Sequence, residues 1–165
     1  MDRPPYRVTV VCVGNICRSP IGEAVLRDRV ADRVVVDSAG TGSWHIGHDA
    51  DHRARATLDA AGYAHDHRAR QITSSWFDEI DLVLAMDSSN YADLRHLLEQ
   101  SGADTELRMM RAFDPALGHL AEPHDELDVP DPYYGGQEGF VDVLHMIERA
   151  ADGLVAKLPA RINQS

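Results

Sequence analysis

The stretch VCVGNICRSP, residues 11–20, sets two cysteines, a glycine, an asparagine and an arginine within a few positions of one another. The run that leads into it, RVTVVCV at residues 7–13, is rich in β-branched apolar residues, which predicts a buried strand. Ser19 and Pro20 predict the start of a helix, with Ser19 as the N-cap and Pro20 in the first turn. We therefore expect a tight loop between a strand and a helix.

The rest of the chain alternates apolar runs with helical patterns. Further strands are predicted at residues 33–40 and 81–87, and a weaker one at 107–110. Helices are predicted at residues 20–32, 51–61, 88–101 and 140–158, the last of them ended by Pro159. This alternation predicts an α/β domain of three layers, doubly wound around a four-stranded parallel sheet. We expect the whole chain, residues 1–165, to form that single domain.

Composition and charge exclude several classes of function. The net charge of −11 argues against a nucleic acid as a partner, because proteins that bind a nucleic acid neutralise its phosphates with an excess of Lys and Arg. No apolar stretch approaches the roughly 20 residues that cross a bilayer, so no membrane span is expected. The start of the chain carries no signal-peptide pattern, which predicts a cytoplasmic protein and leaves non-conventional export open.

The opening stretch predicts an anion site at the carboxyl end of the first strand, which is where ligands bind to the parallel sheets of α/β domains. Backbone N–H groups of the loop and of the helix N-terminus would form the cradle, with Gly14 and Asn15 tolerating positive φ. Arg18 would add a planar fork that matches two phosphate oxygens. The same donors favour a thiolate at Cys12, which makes it a nucleophile aimed at phosphorus.

Other uses of the two cysteines fit less well. A zinc site would need a second Cys pair, and a thioredoxin-type site would need C-x-x-C, whereas Cys12 and Cys17 are five positions apart. His45, His48 and His52 lie near one another in the sequence but match no ligand motif, so no metal is expected. No cofactor is expected either.

The opening stretch resembles the phosphate-binding loop of the low-molecular-weight protein tyrosine phosphatases. The resemblance continues in family order and spacing through DSAGTGSWHIG (37–47), DHRARQIT (66–73), LVLAMDSSN (82–90) and DPYYGG (131–136). It spans most of the chain, and the SAGTGSWH form is most similar to actinobacterial members. It implies hydrolysis of phosphotyrosine in proteins through a phosphocysteine intermediate, with a tyrosine kinase among the candidate partners and a monomer with at most weak self-association.

The resemblance also assigns the catalytic residues. It makes Cys12 the nucleophile and Arg18 the phosphate clamp. Asp131, followed by Pro132, would protonate the leaving group and then activate water. The residues alone leave this last assignment open, because Asp131 is one of five acids within residues 122–131.

The resemblance assigns the remaining loop residues to phosphate binding or loop support: Val13, Gly14, Asn15, Ile16, Cys17 and Ser19. It implies that Ser19 donates a hydrogen bond to the Cys12 sulfur and that the Asn15 amide fixes the loop's shape. Ser43 and His67 would form a hydrogen-bond network behind the loop.

Three aromatic residues, Trp44, Tyr133 and Tyr134, are candidates for the walls of the substrate cleft. Adjacent tyrosines in a Gly- and Pro-rich loop cannot both point inward. Aromatic stacking, worth about 0.5–1.5 kcal/mol per pair, would favour a phenyl phosphate over the shorter phosphoserine.

Three alternative functions share the loop. Thiol-dependent arsenate reductases need further cysteines, and none follows Cys17. Related arginine phosphatases typically carry threonine where this chain has Ile16 and lack the paired tyrosines. A non-catalytic phosphotyrosine-binding module could discard the nucleophile or the acid, whereas Cys12 and Asp131 are both present.

Overall fold

Four parallel strands form one sheet in the computed structural model, which describes residues 5–158. The strands are β1 (Tyr6–Cys12), β2 (Val34–Gly40), β3 (Leu82–Ala85) and β4 (Glu106–Met109), arranged in the order 2-1-3-4. The predicted four-stranded parallel sheet is therefore confirmed, and all four strands fall within a few residues of their expected positions.

Helices cover both faces of this sheet. They are α1 (Arg18–Arg29), α2 (His52–Ala60), α3 (Ser88–Ser101) and α4 (Gln137–Lys157), with short 3-10 helices at Ser74–Glu79, Met110–Phe113 and Asp125–Leu127. The side chains of β1 alternate between two cores, because Val8 and Val10 pack against α1, α2 and α4 while Val11 packs on the side of α3. This alternation produces the three predicted layers. Within residues 5–158, no helix is both long and apolar enough to cross a bilayer.

The ends of the helices follow the sequence signals with one exception. Asp51 caps α2 by accepting a hydrogen bond from the Arg53 N–H at 2.9 Å, and Gly102 ends α3 with a φ of 70°. The predicted cap at Ser19 is wrong, because α1 already begins at Arg18 and Ser19 lies inside its first turn. The Ser19 hydroxyl has other partners, described below. The predicted stop at Pro159 falls outside the described residues.

Sheet register brings the loop that follows β1 to the candidate site. Cys12 pairs with Gly40 at the end of β2, and Val11 pairs with Ala85 at the end of β3. The carboxyl ends of three parallel strands therefore meet at one edge. A Cβ atom on Gly40 would collide with the Val13 carbonyl oxygen, so the absence of a side chain there lets the loop lie directly against β2.

Candidate active site

The loop between β1 and α1 is held by Asn15. This residue adopts a φ of 57°, the left-handed conformation that asparagine tolerates. Its side-chain oxygen accepts a hydrogen bond from the Arg70 N–H at 2.8 Å, and its carbonyl oxygen contacts His67 Nε2. Gly14 does not share the positive φ that we expected; a Cβ there would instead lie 3.0 Å from His45 Cδ2.

The Cys12 thiol lies at the bottom of this loop, with only 3% of the residue exposed. Its sulfur is 3.0 Å from the Ser19 hydroxyl oxygen, which in turn accepts a hydrogen bond from Asn15 Nδ2 at 2.8 Å. Because Asn15 occupies that oxygen as donor, the Ser19 proton is free to point at the sulfur. This geometry allows the contact that the family resemblance implied between Ser19 and Cys12.

A buried chain of polar groups continues behind the loop. Asn15 Nδ2 also donates to the Ser38 hydroxyl at 3.0 Å, and Ser38 donates to Glu23 Oε1 at 2.6 Å. The structure does not place Ser43 in this network, because Ser43 is exposed and Ser38 occupies the expected position. Strand register could have predicted the position of Ser38. Gly40 pairs with Cys12 at the end of the strands, and Ser38 lies two residues before Gly40 on β2.

The Arg18 guanidinium is anchored deep beside the thiol and is almost completely buried. Its Nη1 donates to Asp87 Oδ2 at 2.6 Å and to the Val129 carbonyl oxygen at 2.9 Å. Burial acts to lower the pKa of Arg18, but the negative charges of Cys12, Asp87 and Asp131 raise it overall. The arginine therefore stays charged, and its fork is fixed in orientation before an anion binds.

Asp87 is a residue that our sequence analysis did not single out. Its Oδ1 accepts the Asn90 N–H at 2.7 Å as the N-cap of α3, while its Oδ2 holds Arg18. An aspartate directly after a strand and before a helix is a recognisable capping signal. Its contact with Arg18, 69 positions away, is not visible in the sequence.

Asp131 lies at the mouth of the site, with 47% of its side chain exposed. Its Oδ2 is 4.0 Å from Arg18 Nη2, and its Oδ1 accepts the Tyr133 N–H at 3.0 Å. The nearby acids Asp125 and Asp128 do not line the same cleft. Position thus distinguishes Asp131 within the acidic segment that composition could not resolve.

The cleft that joins these groups has a volume of about 500 Å³. It is lined by Cys12, Val13, Gly14, Ile16, Cys17, Arg18, Trp44, His45, Asp131, Tyr133 and Tyr134. All three predicted aromatic residues are present, with Tyr133 and Tyr134 in an edge-to-face contact at 5.1 Å. Asn15, Ser19 and His67 lie behind this surface and shape it. His45 is a lining residue that our sequence analysis considered only as a metal ligand.

Cys17 is the second buried thiol, and both cysteines are free. Burial raises the pKa of Cys17 to about 12, with further increases from the charges of Asp51 and Cys12. Cys17 therefore remains a neutral thiol at physiological pH. Among residues 5–158, no group of three or more His, Cys, Asp or Glu side chains is placed to hold a metal ion.

Together, the loop, the buried thiol, the anchored arginine and the acid across an aromatic cleft define a cysteine-dependent phosphatase. A family model described as low molecular weight phosphotyrosine protein phosphatase matches residues 7–164. A low molecular weight protein-tyrosine-phosphatase of Streptomyces coelicolor is 47% identical over 162 residues, covering 95% of this chain and 96% of that protein. The chain belongs to the low molecular weight phosphotyrosine protein phosphatase family, as the sequence motifs predicted.

Solved structures support the same fold. The crystal structure of Primo-1 matches with a TM-score of 0.81 at 37% identity and covers 92% of this chain and 97% of its own. The crystal structure of DARP, a Drosophila arginine phosphatase, also matches with a TM-score of 0.81, at 27% identity, and covers 90% of this chain and 95% of its own. The fold alone therefore does not decide between tyrosine and arginine as the phosphorylated residue.

Proposed function

We propose that this phosphatase hydrolyses phosphotyrosine in proteins at Cys12, with Arg18 and Asp131 as its other catalytic residues. The observation that carries the proposal is the convergence of these three side chains on one aromatic-lined cleft. Each supplies a different requirement of phosphoryl transfer: a nucleophile, a clamp for the phosphate oxygens and a proton donor.

In the first step, the Cys12 thiolate attacks phosphorus and the bond from phosphorus to the tyrosine oxygen breaks. Asp131 gives its proton to that oxygen, so tyrosine leaves as a neutral phenol. Arg18 neutralises charge on the phosphate oxygens without having to reorganise, because Asp87 already holds its guanidinium. The product of this step is a phosphocysteine and an Asp131 carboxylate.

In the second step, that carboxylate removes a proton from water, and the oxygen attacks phosphorus as the bond to sulfur breaks. Cys12 departs as a thiolate and inorganic phosphate is released, which returns Asp131 to its protonated form. The Ser19 hydroxyl, 3.0 Å from the sulfur, stabilises the departing thiolate by donating a hydrogen bond. No metal or cofactor takes part in either step.

The lining of the cleft favours phosphotyrosine over phosphoarginine. Trp44, Tyr133 and Tyr134 offer ring surfaces to a phenyl group, and Ile16 adds bulk at the phosphate loop. The substrates we propose are phosphotyrosine proteins, including a tyrosine kinase. We propose that the enzyme acts as a monomer. A reducing compartment such as the cytoplasm suits a catalytic thiolate. We take residues 1–165 as one phosphatase domain.

A side-by-side turnover assay tests this assignment. Peptides that carry phosphotyrosine, phosphoserine or phosphoarginine in the same flanking sequence are incubated with the enzyme in the presence of a metal chelator. We expect phosphotyrosine to be hydrolysed fastest, with full activity in chelator. Faster release of phosphate from the phosphoarginine peptide would contradict the proposal and identify the protein as an arginine phosphatase.

A further inference from the structure

Arg53 is a second arginine beside the cleft, and the two-step reaction gives it no role. It lies in the first turn of α2, next to the N-cap Asp51. Its Nε donates to Asp51 Oδ1 at 3.0 Å and its Nη2 donates to Asp51 Oδ2 at 3.1 Å. Two parallel hydrogen bonds of this kind fix the plane of the guanidinium.

The remaining surface of this guanidinium faces residues 131–136, which we call the acid loop. Nη1 of Arg53 donates to the Gly135 carbonyl oxygen at 2.7 Å. The guanidinium carbon also lies 5.5 Å from the Tyr133 ring centroid and 4.7 Å from that of Phe140, a fully buried residue of α4. Arg53 therefore connects the acid loop with the rigid part of the fold.

Asp51 connects the same pair to the nucleophile. Its backbone N–H donates to the Ile16 carbonyl oxygen, in the loop after Cys12, at 2.8 Å. Burial alone would raise the pKa of Asp51, but hydrogen bonds from Arg53 lower it, and Asp51 in turn raises the pKa of Arg53. The pair stays ionised at neutral pH and spans the two loops that carry the reacting groups.

The acid loop has enough internal structure to transmit a displacement. The Tyr133 N–H donates to Asp131 Oδ1 at 3.0 Å, and the Gly135 N–H donates to the Pro132 carbonyl oxygen at 3.1 Å. These bonds make residues 131–135 a compact turn, so a shift at Gly135 moves Asp131. The side chain of Asp131 is itself half exposed and has little packing to hold it.

We propose that Arg53, fixed by Asp51, is a positioning residue that holds the acid loop at the distance from Cys12 at which Asp131 can protonate the leaving group. The inference rests on the proposed roles of Cys12 and Asp131. It predicts that loss of Arg53 damages proton donation specifically and leaves the phosphate cradle intact, because Arg18 and Asn15 are held by other partners.

The test compares two substrates that differ in their need for a proton. Phenyl phosphate needs protonation of its leaving group, whereas dinitrophenyl phosphate does not. A displacement of about 1 Å can cost on the order of 100-fold in rate. We therefore expect Arg53→Met to lower kcat/KM, which reports only the first step, by about 10- to 100-fold on phenyl phosphate but by less than about threefold on dinitrophenyl phosphate.

Two further variants guard against a general loss of structure. Arg53→Lys keeps the charge but cannot contact Asp51 and Gly135 as a planar fork, so we expect an intermediate loss with the same dependence on leaving group. Arg55→Met is the matched control, because Arg55 lies on the same helix and bonds instead to the Ala50 carbonyl oxygen at 3.1 Å. It should match the wild type on both substrates.

Asp131→Asn separates the proposed acid role of Asp131 from the proposed positioning role of Arg53. If Asp131 is the acid, this variant alone has a greatly lowered kcat/KM on phenyl phosphate and a much less affected kcat/KM on dinitrophenyl phosphate. Adding Arg53→Met to it should then slow the reaction no further, because the two residues act through one proton transfer. Multiplying losses in the double variant, or equal losses of Arg53→Met on both substrates, would overturn the positioning role. Equal losses of Asp131→Asn on both substrates would overturn the assignment of the acid, and the Arg53 proposal with it.

Discussion

At the scale of a single residue, the Ser19 hydroxyl both accepts and donates hydrogen bonds. Its oxygen accepts a hydrogen bond from Asn15 Nδ2, and its proton can then be given to Cys12 Sγ at 3.0 Å or to the Ala39 carbonyl oxygen at 3.5 Å. A hydroxyl that donates to sulfur favours the charged thiolate. In the proposed second step, the same contact therefore assists the departure of the Cys12 sulfur from phosphorus.

The second thiol, Cys17, lines the same cleft as Cys12. With a pKa raised to about 12 by burial, Cys17 is a poor nucleophile at neutral pH, because only the thiolate attacks readily. Oxidation of Cys12 to a neutral sulfenic acid removes one of the charges that keep this pKa high. Oxidation at one sulfur thus prepares the other to react.

We predict that peroxide inactivates the enzyme reversibly through a bond between these two sulfurs. Peroxide converts the Cys12 thiolate to a sulfenic acid; Cys17 then attacks that sulfur, expels water and forms a disulfide, which an added dithiol reduces. The rate of capture should rise with pH, following the fraction of Cys17 thiolate. Mass spectrometry of oxidised protein checks for the bond.

Cys17→Ser provides the comparison for this prediction. The variant should hydrolyse phosphotyrosine normally, because the proposed chemistry does not use Cys17, but it should fail to recover with dithiol after peroxide treatment. Recovery as complete as that of the wild type would show that Cys17 only packs beneath the loop.

At the scale of elements, the site depends on how closely the loop after β1 approaches β2. The Gly40 N–H donates to the Arg70 carbonyl oxygen at 2.7 Å, and the Gly40 carbonyl oxygen accepts the Ile72 N–H at 2.9 Å, so β2 cannot easily move away. A Cβ on Gly40 would also lie 3.1 Å from the Asn15 backbone nitrogen. Gly40 is therefore enclosed by backbone atoms on both sides, so neither side can easily move to accommodate a side chain.

We predict that Gly40→Ala displaces the loop after β1 and disables the enzyme. Overpacking against backbone should lower the free energy of unfolding by about 1–3 kcal/mol. A loop displaced by about 1 Å should lower kcat/KM on the order of 100-fold. Denaturant unfolding and steady-state kinetics measure the two effects.

Gly118→Ala is the matched control for this substitution. Gly118 is exposed, and a Cβ there would meet no atom within 4 Å. Stability should change by no more than about 0.5 kcal/mol and activity should be unaffected. Full activity of Gly40→Ala would show that the loop tolerates displacement.

At the scale of the whole molecule, local patterns predicted more than distant contacts. Apolar runs and capping residues predicted the sheet and most helix ends, because those signals lie within a few residues of the element. The contacts of Arg18 with Asp87 and of Arg53 with Gly135 join positions 69 and 82 residues apart, so no local pattern predicts them. Ser19 was misassigned because a capping serine and a serine facing a buried sulfur look alike in sequence.

The net charge of −11 sets a condition on substrate binding that no single residue reveals. A phosphotyrosine side chain is itself an anion, so the field of the whole protein opposes its approach, and the positive site at Arg18 acts only at short range. Peptide residues outside the cleft experience the same net negative charge. Basic flanking residues should therefore assist association and acidic ones should hinder it.

We predict that the enzyme prefers phosphotyrosine peptides with basic flanks and that salt removes the preference. The ratio of kcat/KM for a lysine-flanked peptide over a glutamate-flanked one should exceed one at about 10 mM ionic strength, where the screening length is about 30 Å. It should fall toward one at about 1 M, where that length is about 3 Å. A glutamine-flanked peptide reports effects of salt unrelated to peptide charge. A ratio that stays constant with salt would mean that specific contacts set the preference, and a ratio below one would mean that local cations outweigh the acidic surface.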